Sequence, residues 1–327
     1  MLQTIQTYWE KLQNLKTLAP GYGYDEIGHG ICDLVLSPHY TTTEKSACIA
    51  ELKNRSPQML RDIQNASIHS EMKLESALID AAGNKLEPLQ FHPEADFFDK
   101  AILRKNALNN LLVDYPFSWA EPLACEEIWL LQNAGRHAIP APEQKVIYWG
   151  RSMLPFSALH MHYLTQAQII WLDPEPESAA NGAAFIEQLV ANNYLDSPSA
   201  IQIYQWDCQS GLDSYVYDKD IAGLIILDSD LITESCMAAI DIQDIPNVIA
   251  TDTNGLAELM YPAIDSNLLS EQRKLTASVY PHHCEYPQNP ENATIKHSRS
   301  PYQFKTLHSF IPIHIEKESS FPSPNFE

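Results

Sequence analysis

The fold of this chain is decided by the stretch KVIYWGRSMLPFSALHMHYLTQAQIIWLDPEPESA, residues Lys145 to Ala179. Val146–Trp149 and Gln168–Leu172 are short apolar runs, as expected of strands that are buried on both faces. Gly150 permits a sharp turn after the first run, and the residues beyond it have helical spacing. The second run is followed by Asp173. The order of strand, glycine turn, helix, strand and acid is that of half a nucleotide-binding α/β unit. A single glycine is a weak signal, so an ordinary βαβ unit fits the stretch equally well.

The composition fits a globular protein of one large or two ordinary domains. The chain has 327 residues, of which 45% are hydrophobic and 19% charged, and its formal net charge is −21. Such a charge repels nucleic-acid phosphates and anionic membrane surfaces, so neither is expected as a partner. The six cysteines include no CxxC pair, which favours buried free thiols.

The first residues, MLQTIQTYWEKLQNLKTL, have the pattern of an amphipathic helix and lack the continuous apolar core of a signal peptide. The sequence also has no run approaching the roughly 18 apolar residues of a membrane span. We therefore expect a cytoplasmic protein. The sequence leaves open whether it is a monomer or a homodimer.

The hydrophobic periodicity and the composition change along the chain and divide it into three predicted segments. Residues 1–143 have helical periodicity and predict an N-terminal helical domain, whereas residues 144–300 alternate strands and helices. Residues 301–327 are rich in Ser, Pro and Phe and predict a loose C-terminal tail. Further strands are expected at Ala200–Trp206, Ala222–Leu227, Asn247–Thr251, Leu275–Tyr280 and Ala293–His297.

Acidic residues follow several of these strands. In α/β folds the carboxyl ends of the strands carry the ligand contacts. Asp173 is then a candidate for a ribose hydroxyl, and Asp207 for an adenine amino group, with Asp228 following the fourth strand. A helix cap or a turn explains Asp207 equally well.

Glu127 is a candidate general base. It shares helical spacing with Leu123, Leu130 and Leu131, so it lies on or beside an apolar face. A desolvated carboxylate has a raised pKa, which suits a base. On pattern alone, an ordinary solvated glutamate beside Glu126 is the simpler interpretation.

No metal site is predicted. His160 and His162 are two apart on a predicted helix and do not share a face. His282 and His283 are adjacent in a predicted loop, without the usual spacing of zinc ligands.

Several separated segments resemble the nicotianamine synthase family and its bacterial relatives that make opine-type metallophores. GRSMLPFS at 150–157 resembles the family's GSGPLPLT, and IWLDPEP at 170–176 resembles IDIDPEA. NGLAELMYPAID at 254–265 resembles HGARAFLYPVVD. Upstream, YPFS at 115–118 and ACEEIWLL at 124–131 resemble FPYY and LSKLEFDLL. The resemblance covers roughly residues 110–298, and its last part matches a C-terminal β-hairpin.

This resemblance implies an α/β fold: a class I Rossmann-like domain that binds S-adenosylmethionine, capped by an N-terminal helical domain. It implies S-adenosylmethionine as a substrate whose 3-amino-3-carboxypropyl group passes to a small-molecule amine or amino-acid acceptor in metallophore biosynthesis, with release of methylthioadenosine. Gly150, Arg151, Ser152, Asp173, Asp207 and Asp228 become the candidate cofactor-binding residues. Glu127 matches the glutamate of KLEF, the family's base.

The sequence also departs from the family pattern. Arg151 and Ser152 replace two residues of the glycine turn, and Trp171 replaces the first aspartate of IDID. An arginine in the turn can crowd the methionine moiety or bind its carboxylate. Two alternatives therefore stay open: an S-adenosylmethionine-dependent methyltransferase, and a non-catalytic relative on the same scaffold.

The placement of Asp207 is open to a binding test. If Asp207 accepts a hydrogen bond from the adenine amino group, Asp207→Ala weakens S-adenosylmethionine binding by about 1–3 kcal/mol. Isothermal calorimetry measures this change. Unchanged affinity would remove Asp207 from the site.

Overall fold

The computed structural model describes residues 1–18, 24–112, 120–135, 140–152, 156–206, 221–226, 228–242, 245, 248–253, 255–264, 273–277 and 311–317. In the N-terminal part the helices are α1 (Leu2–Gln13), α2 (Tyr24–Leu36), α3 (Thr42–Arg55), α4 (Pro57–Gly83), α5 (Phe97–Leu111) and α6 (Ala120–Gly135). The elements that follow are β1 (Lys145–Trp149), α7 (Phe156–Thr165), β2 (Gln168–Asp173), α8 (Pro176–Ala191), β3 (Ile201–Gln205), β4 (Ile221–Ile226), α9 (Glu234–Ile242), β5 (Val248–Asp252), β6 (Arg273–Ala277) and β7 (Ile311–Lys317). Two 3₁₀ segments, Ser229–Leu231 and Gly255–Leu259, follow β4 and β5.

The described strands form one sheet in the order β3-β2-β1-β4-β5-β7-β6. Strands β1 to β5 are parallel, whereas β7 runs antiparallel to both β5 and β6. The chain winds outward from β1 to β3 and then returns to β4 on the other side of β1. Ligands of open α/β sheets bind at such a switch point, outside the carboxyl ends of the strands. The class I Rossmann-like fold predicted from the sequence, with helices before the sheet, is confirmed.

Both faces of the central strands are covered, which explains their unbroken apolar runs. On one face Val146 and Tyr148 pack with side chains of α6, α7 and α8 in one core. On the other face Ile147 and Trp149 pack with α9 in a second core. Trp171, which replaces an acid of the family pattern, is fully buried on the first face, with its ring stacked on Tyr148 at a centroid distance of 5.7 Å.

Local signals explain where several helices begin. The Thr41 side chain accepts a hydrogen bond from the Glu44 amide, and the Glu44 carboxylate accepts one from the Thr41 amide, so a capping box starts α3. Asp96 caps α5 through the Asp99 amide. Pro57 stands in the first turn of α4, where its missing amide hydrogen costs no helical bond.

Helix α4 joins the two halves of the molecule. It has 27 residues and is about 40 Å long at the usual helical rise. Its first turns, with Leu60 and Ile63, belong to a core shared with α1, α2 and α3. Its last turns, with Leu78 and Ile79, belong to the core on the α7 face of the sheet. The buried residues between these two apolar ends are mainly polar: Gln64, Ser67, Ser70, Glu71 and Glu75.

The predicted loose tail at 301–327 is wrong for residues 311–317, which form β7 between β5 and β6. The sequence carried a strand signal there, since Ile311, Ile313 and Ile315 alternate with Pro312, His314 and Glu316. The prediction of a loose tail rested on the Ser, Pro and Phe content of the segment and did not consider this alternation. The expected strand at Ala293–His297 lies outside the described residues, as does the end of the one expected at Leu275–Tyr280.

The expected boundary at residue 143 also differs from the packing. Helix α6 precedes it in the chain, yet α6 packs on α7 and on the sheet, and Leu130 and Leu131 belong to the sheet core. The apolar face of α6 therefore packs into the core of the Rossmann-like layer, which residues of α4 and α5 also join. None of the helices in the described part of the chain is long and apolar enough to cross a membrane.

Buried His162 predicts a pH dependence of stability. Burial lowers its pKa from the ordinary value of 6.5, although the carbonyl of Ala167 bonds to Nδ1 and opposes the shift. The unfolded chain then binds the proton more readily, so the free energy of unfolding falls as the pH drops below about 6.5. We expect urea denaturation between pH 5 and 8 to show this loss, and His162→Asn to reduce it.

His69→Asn is the matched control, because His69 also contacts a backbone carbonyl from a helix but is exposed. A parent protein with no loss of stability below pH 6.5, or an equal loss in His162→Asn, would contradict the assignment.

Candidate active site

The glycine turn after β1 lies where the fold predicts a ligand. The Gly150 amide donates to the Leu172 carbonyl at 3.1 Å, which ties the turn to β2. The Arg151 amide donates to Asp228 Oδ2 at 2.6 Å, which ties it to the segment after β4. The turn therefore bridges the switch point between β1 and β4. Three predicted cofactor residues, Gly150, Arg151 and Asp228, are together in the structure.

The Arg151 side chain extends this bridge. Its guanidinium forms an ion pair with Asp230, and its Nε lies 3.7 Å from a carboxylate oxygen of Glu175, at the start of α8. Burial raises the pKa of Asp230, and the charge of nearby Asp228 raises it further, while Arg151 opposes both. The sequence did not single out Asp230, although it stands only two residues after Asp228.

Asp173 ends β2 and is fully buried. Its Oδ1 accepts a hydrogen bond from the Glu175 amide at 2.8 Å, and its Oδ2 accepts one from Ser178 Oγ at 2.5 Å. Burial raises the pKa of Asp173 to about 6, against the lowering effect of these two bonds. The carboxylate thus stabilises the start of α8. A carboxylate has about four acceptor positions, so a ribose contact remains a prediction.

Asp207 lies outside the described residues. Its neighbour Trp206 is described: the Trp206 amide donates to the Asp173 carbonyl at 2.9 Å, so the end of β3 lies beside the end of β2. The Trp206 ring contacts Trp149 at a centroid distance of 4.7 Å. The adenine contact of Asp207 therefore stays a prediction.

Glu127 is buried on α6, with 5% of its surface exposed. Tyr148, on β1, donates its hydroxyl to Glu127 Oε2 at 2.5 Å. Burial and the negative charge of Glu127 raise the pKa of Tyr148 well above its ordinary value, so the phenol keeps its proton. The expected burial of Glu127 is thus present, but its carboxylate lies between α6 and the sheet face.

Two further carboxylates reach the site from α4. Glu75 Oε1 accepts a hydrogen bond from Ser152 Oγ, in the glycine turn, at 2.8 Å. Glu71, one helical turn earlier, accepts a hydrogen bond from the Tyr261 hydroxyl at 2.6 Å. Each glutamate is only 8% exposed. The helical half therefore supplies two buried acids to the region beside the carboxyl end of β1.

A short sequence match to the family segment also lies on α4, outside the segments compared in the sequence analysis. The tripeptide KLE of the family segment LSKLEFDLL occurs literally at Lys73-Leu74-Glu75, whereas ACEEIWLL contains no such tripeptide. Most of the buried polar residues of α4 are also spaced three or four apart, so they lie on the same face of the helix as its buried apolar residues. As for metals, the described residues contain no group of three His, Cys, Asp or Glu side chains that could hold an ion.

Neither a protein-family model nor a curated protein matches the sequence. Solved structures do. A glutamate-to-glutamine variant of MtNAS, a nicotianamine synthase, in complex with S-adenosylmethionine matches with a TM-score of 0.61 at 10% identity. MtNAS in complex with MTA and tNA matches with a TM-score of 0.60 at 11% identity. Both matches cover 97% of this chain and 98% of MtNAS.

This chain has the nicotianamine synthase fold. The match extends over the helical half as well as the sheet, so the arrangement of α4 against the glycine turn belongs to a whole-length likeness. Sequence identity near 10% establishes the fold alone.

The raised pKa of Asp173 predicts the direction in which its contribution to the free energy of unfolding changes with pH. Between the ordinary value of 3.8 and about 6, the folded state holds a proton that the unfolded chain releases. The stabilisation from Asp173 is therefore complete below about pH 4 and is lost as the pH rises through 6. We expect the unfolding free energy of the parent, minus that of Asp173→Asn, to fall between pH 4 and 7.

Asp196→Asn provides a matched comparison of opposite sign. A hydrogen bond from Arg104 lowers the pKa of Asp196, so the corresponding difference should rise with pH. Parallel pH profiles for the two variants in urea denaturation would refute the assignment at Asp173.

Proposed function

We propose that this protein transfers the 3-amino-3-carboxypropyl group of S-adenosylmethionine to an amine or amino-acid acceptor, releasing methylthioadenosine. The observation that carries the proposal is the reach of the structural match, which spans the N-terminal helices as well as the sheet. MtNAS structures contain S-adenosylmethionine, or MTA with tNA. In this chain Gly150, Asp173, Asp207 and Asp228 are the proposed contacts for the cofactor.

The proposed reaction needs little from the protein beyond placement and a base. A sulfonium makes each attached carbon electrophilic, so the position of the amine selects which carbon reacts. The amine lone pair bonds to the terminal methylene carbon of the aminocarboxypropyl chain as the carbon–sulfur bond breaks. The bond pair goes to sulfur, which leaves as a neutral thioether. The attacking nitrogen must be unprotonated, so a carboxylate has to remove a proton from the ammonium.

Glu75 is the proposed base. Its bond to Ser152 holds a buried carboxylate beside the cofactor turn, and it comes from the helical half, against which an acceptor would lie. Burial makes a carboxylate a stronger base than it is in water. Glu127, the sequence-based candidate, is engaged by Tyr148 against the sheet face, so we assign it a positioning role.

The departure at Trp171 does not count against catalysis. The side chain is fully buried and stacked on Tyr148, so it fills the core and does not project from the sheet edge. This removes one argument for a non-catalytic relative.

The product class fits a metallophore. Adding an aminocarboxypropyl group to an amino acid creates a chain of amine nitrogens and carboxylates, which are ligands for transition metals. The formal charge of −21 also favours a cationic cofactor through the field of the whole protein.

The turnover of two variants, Glu75→Gln and Glu127→Gln, tests which glutamate is the base. We expect Glu75→Gln to bind S-adenosylmethionine with nearly parental affinity and to lose roughly 10²–10⁴-fold in turnover, the usual range for a missing general base. Glu127→Gln should lose less, because its carboxylate acts through Tyr148. Chromatography of methylthioadenosine released in the presence of candidate amino-acid acceptors measures both, with calorimetry as the control for binding.

The outcomes are distinct. Retained turnover in Glu75→Gln with a large loss in Glu127→Gln would make Glu127 the base, as the sequence alone predicts. S-adenosylhomocysteine as the product would identify a methyltransferase. A parent protein that does not bind S-adenosylmethionine would overturn the proposed function altogether.

A further inference from the structure

Arg151 places a positively charged side chain among acidic residues at the switch point of the sheet. Among the described residues that follow the strands, at 150–152, 174–178, 206, 228–231, 253 and 255–264, it is the one lysine or arginine. Its guanidinium is surrounded by acids from both sides, with Asp230 after β4 and Glu175 after β2. The side chain is 22% exposed, so it is neither buried nor free in solvent.

We propose that Arg151 and Asp230 together recognise the amino-acid end of S-adenosylmethionine. The guanidinium binds the carboxylate of the methionine moiety, and Asp230 accepts a hydrogen bond from its α-ammonium. This inference rests on the proposed function, since it specifies how the same ligand is held.

The direction of the ligand across the sheet supports this assignment. Asp173 ends β2, and Trp206 follows β3 beside it, so the proposed ribose contact lies on the β2–β3 side. The sheet order is β3-β2-β1-β4. A ligand whose adenosine lies over β2 and β3 must extend its other end across β1 toward β4. Arg151 and Asp230 stand at that end.

The charges of the cluster match a zwitterion. The carboxylates of Glu175 and Asp230 lie beside the guanidinium, and that of Asp228 accepts a hydrogen bond from the Arg151 amide. The cluster therefore carries negative charge beyond what Arg151 neutralises. Burial and the charge of Asp228 raise the pKa of Asp230, and a nearby ammonium relieves that repulsion. The guanidinium has five donors in a planar fork suited to a carboxylate, and Asp230 engages one of its nitrogens.

The geometry also keeps the cluster in place without the side chain of Arg151. The bond to Asp228 comes from the backbone amide of Arg151, so replacing the side chain leaves the turn fixed to the segment after β4. Arg151→Met therefore removes the guanidinium and keeps most of the apolar stem.

Two ligands that differ only in the carboxylate test the proposal. Calorimetry compares S-adenosylmethionine with decarboxylated S-adenosylmethionine for the parent, Arg151→Met and Asp230→Asn. We expect Arg151→Met to weaken S-adenosylmethionine binding by roughly 10- to 100-fold, the loss of hydrogen bonds to a charged group. Binding of the decarboxylated ligand should stay within about 2-fold. Asp230→Asn should weaken both ligands to a similar extent, because both keep the ammonium.

The decarboxylated ligand also reports on folding. Equal losses for both ligands in Arg151→Met would assign Arg151 a structural role and overturn the proposal, as would unchanged affinity for both. An Asp230→Asn variant that binds both ligands as the parent does would remove Asp230 from the site. If the parent binds neither ligand, it is the proposed function that fails, and not this assignment alone.

Discussion

The hydrogen bond between Ser152 and Glu75 is the contact that joins the two halves of the molecule at the candidate site. It joins the glycine turn of the sheet to the middle of α4 at 2.8 Å. A buried carboxylate is costly without hydrogen-bond donors, so the turn and the helix constrain each other. The apolar ends of α4 are anchored in separate cores, and its polar centre is thereby held over the end of β1. The helical half therefore contributes side chains to the candidate site and shares a core with the sheet.

Local patterns were enough to predict most of the architecture. The apolar runs at Val146–Trp149 and Gln168–Leu172 belong to strands covered on both faces, and that coverage needs no distant information. Helical periodicity likewise predicted a helical N-terminal part, and α1 to α6 are the helices described there. The strand at 311–317 was missed because its alternation is short and stands in a segment of tail-like composition. The order of strands in a sheet, by contrast, is a long-range property; the resemblance implied the fold class, and the structure gives the order itself.

The site was predictable only in part, for the same physical reason. Residues that follow strands can be placed from topology, which is why Asp173 and Asp228 were expected near Gly150. The bonds that shape their chemistry join residues far apart in sequence: Ser152 and Glu75 are separated by 77 positions, and Arg151 and Asp230 by 79. No local spacing encodes such pairs.

The place of β7 has a consequence for how the chain is made. The ribosome delivers β6 before β7, yet β6 pairs with β7, and β7 alone joins β6 to β5. Among the described strands, β5 therefore has no partner on this edge, and β6 has no pairing, until β7 emerges and inserts between them. Pairings between distant segments form slowly, and open strand edges invite association with other chains. In the part of the sheet that the structure describes, this edge of β5 is completed only once a single seven-residue strand has been made.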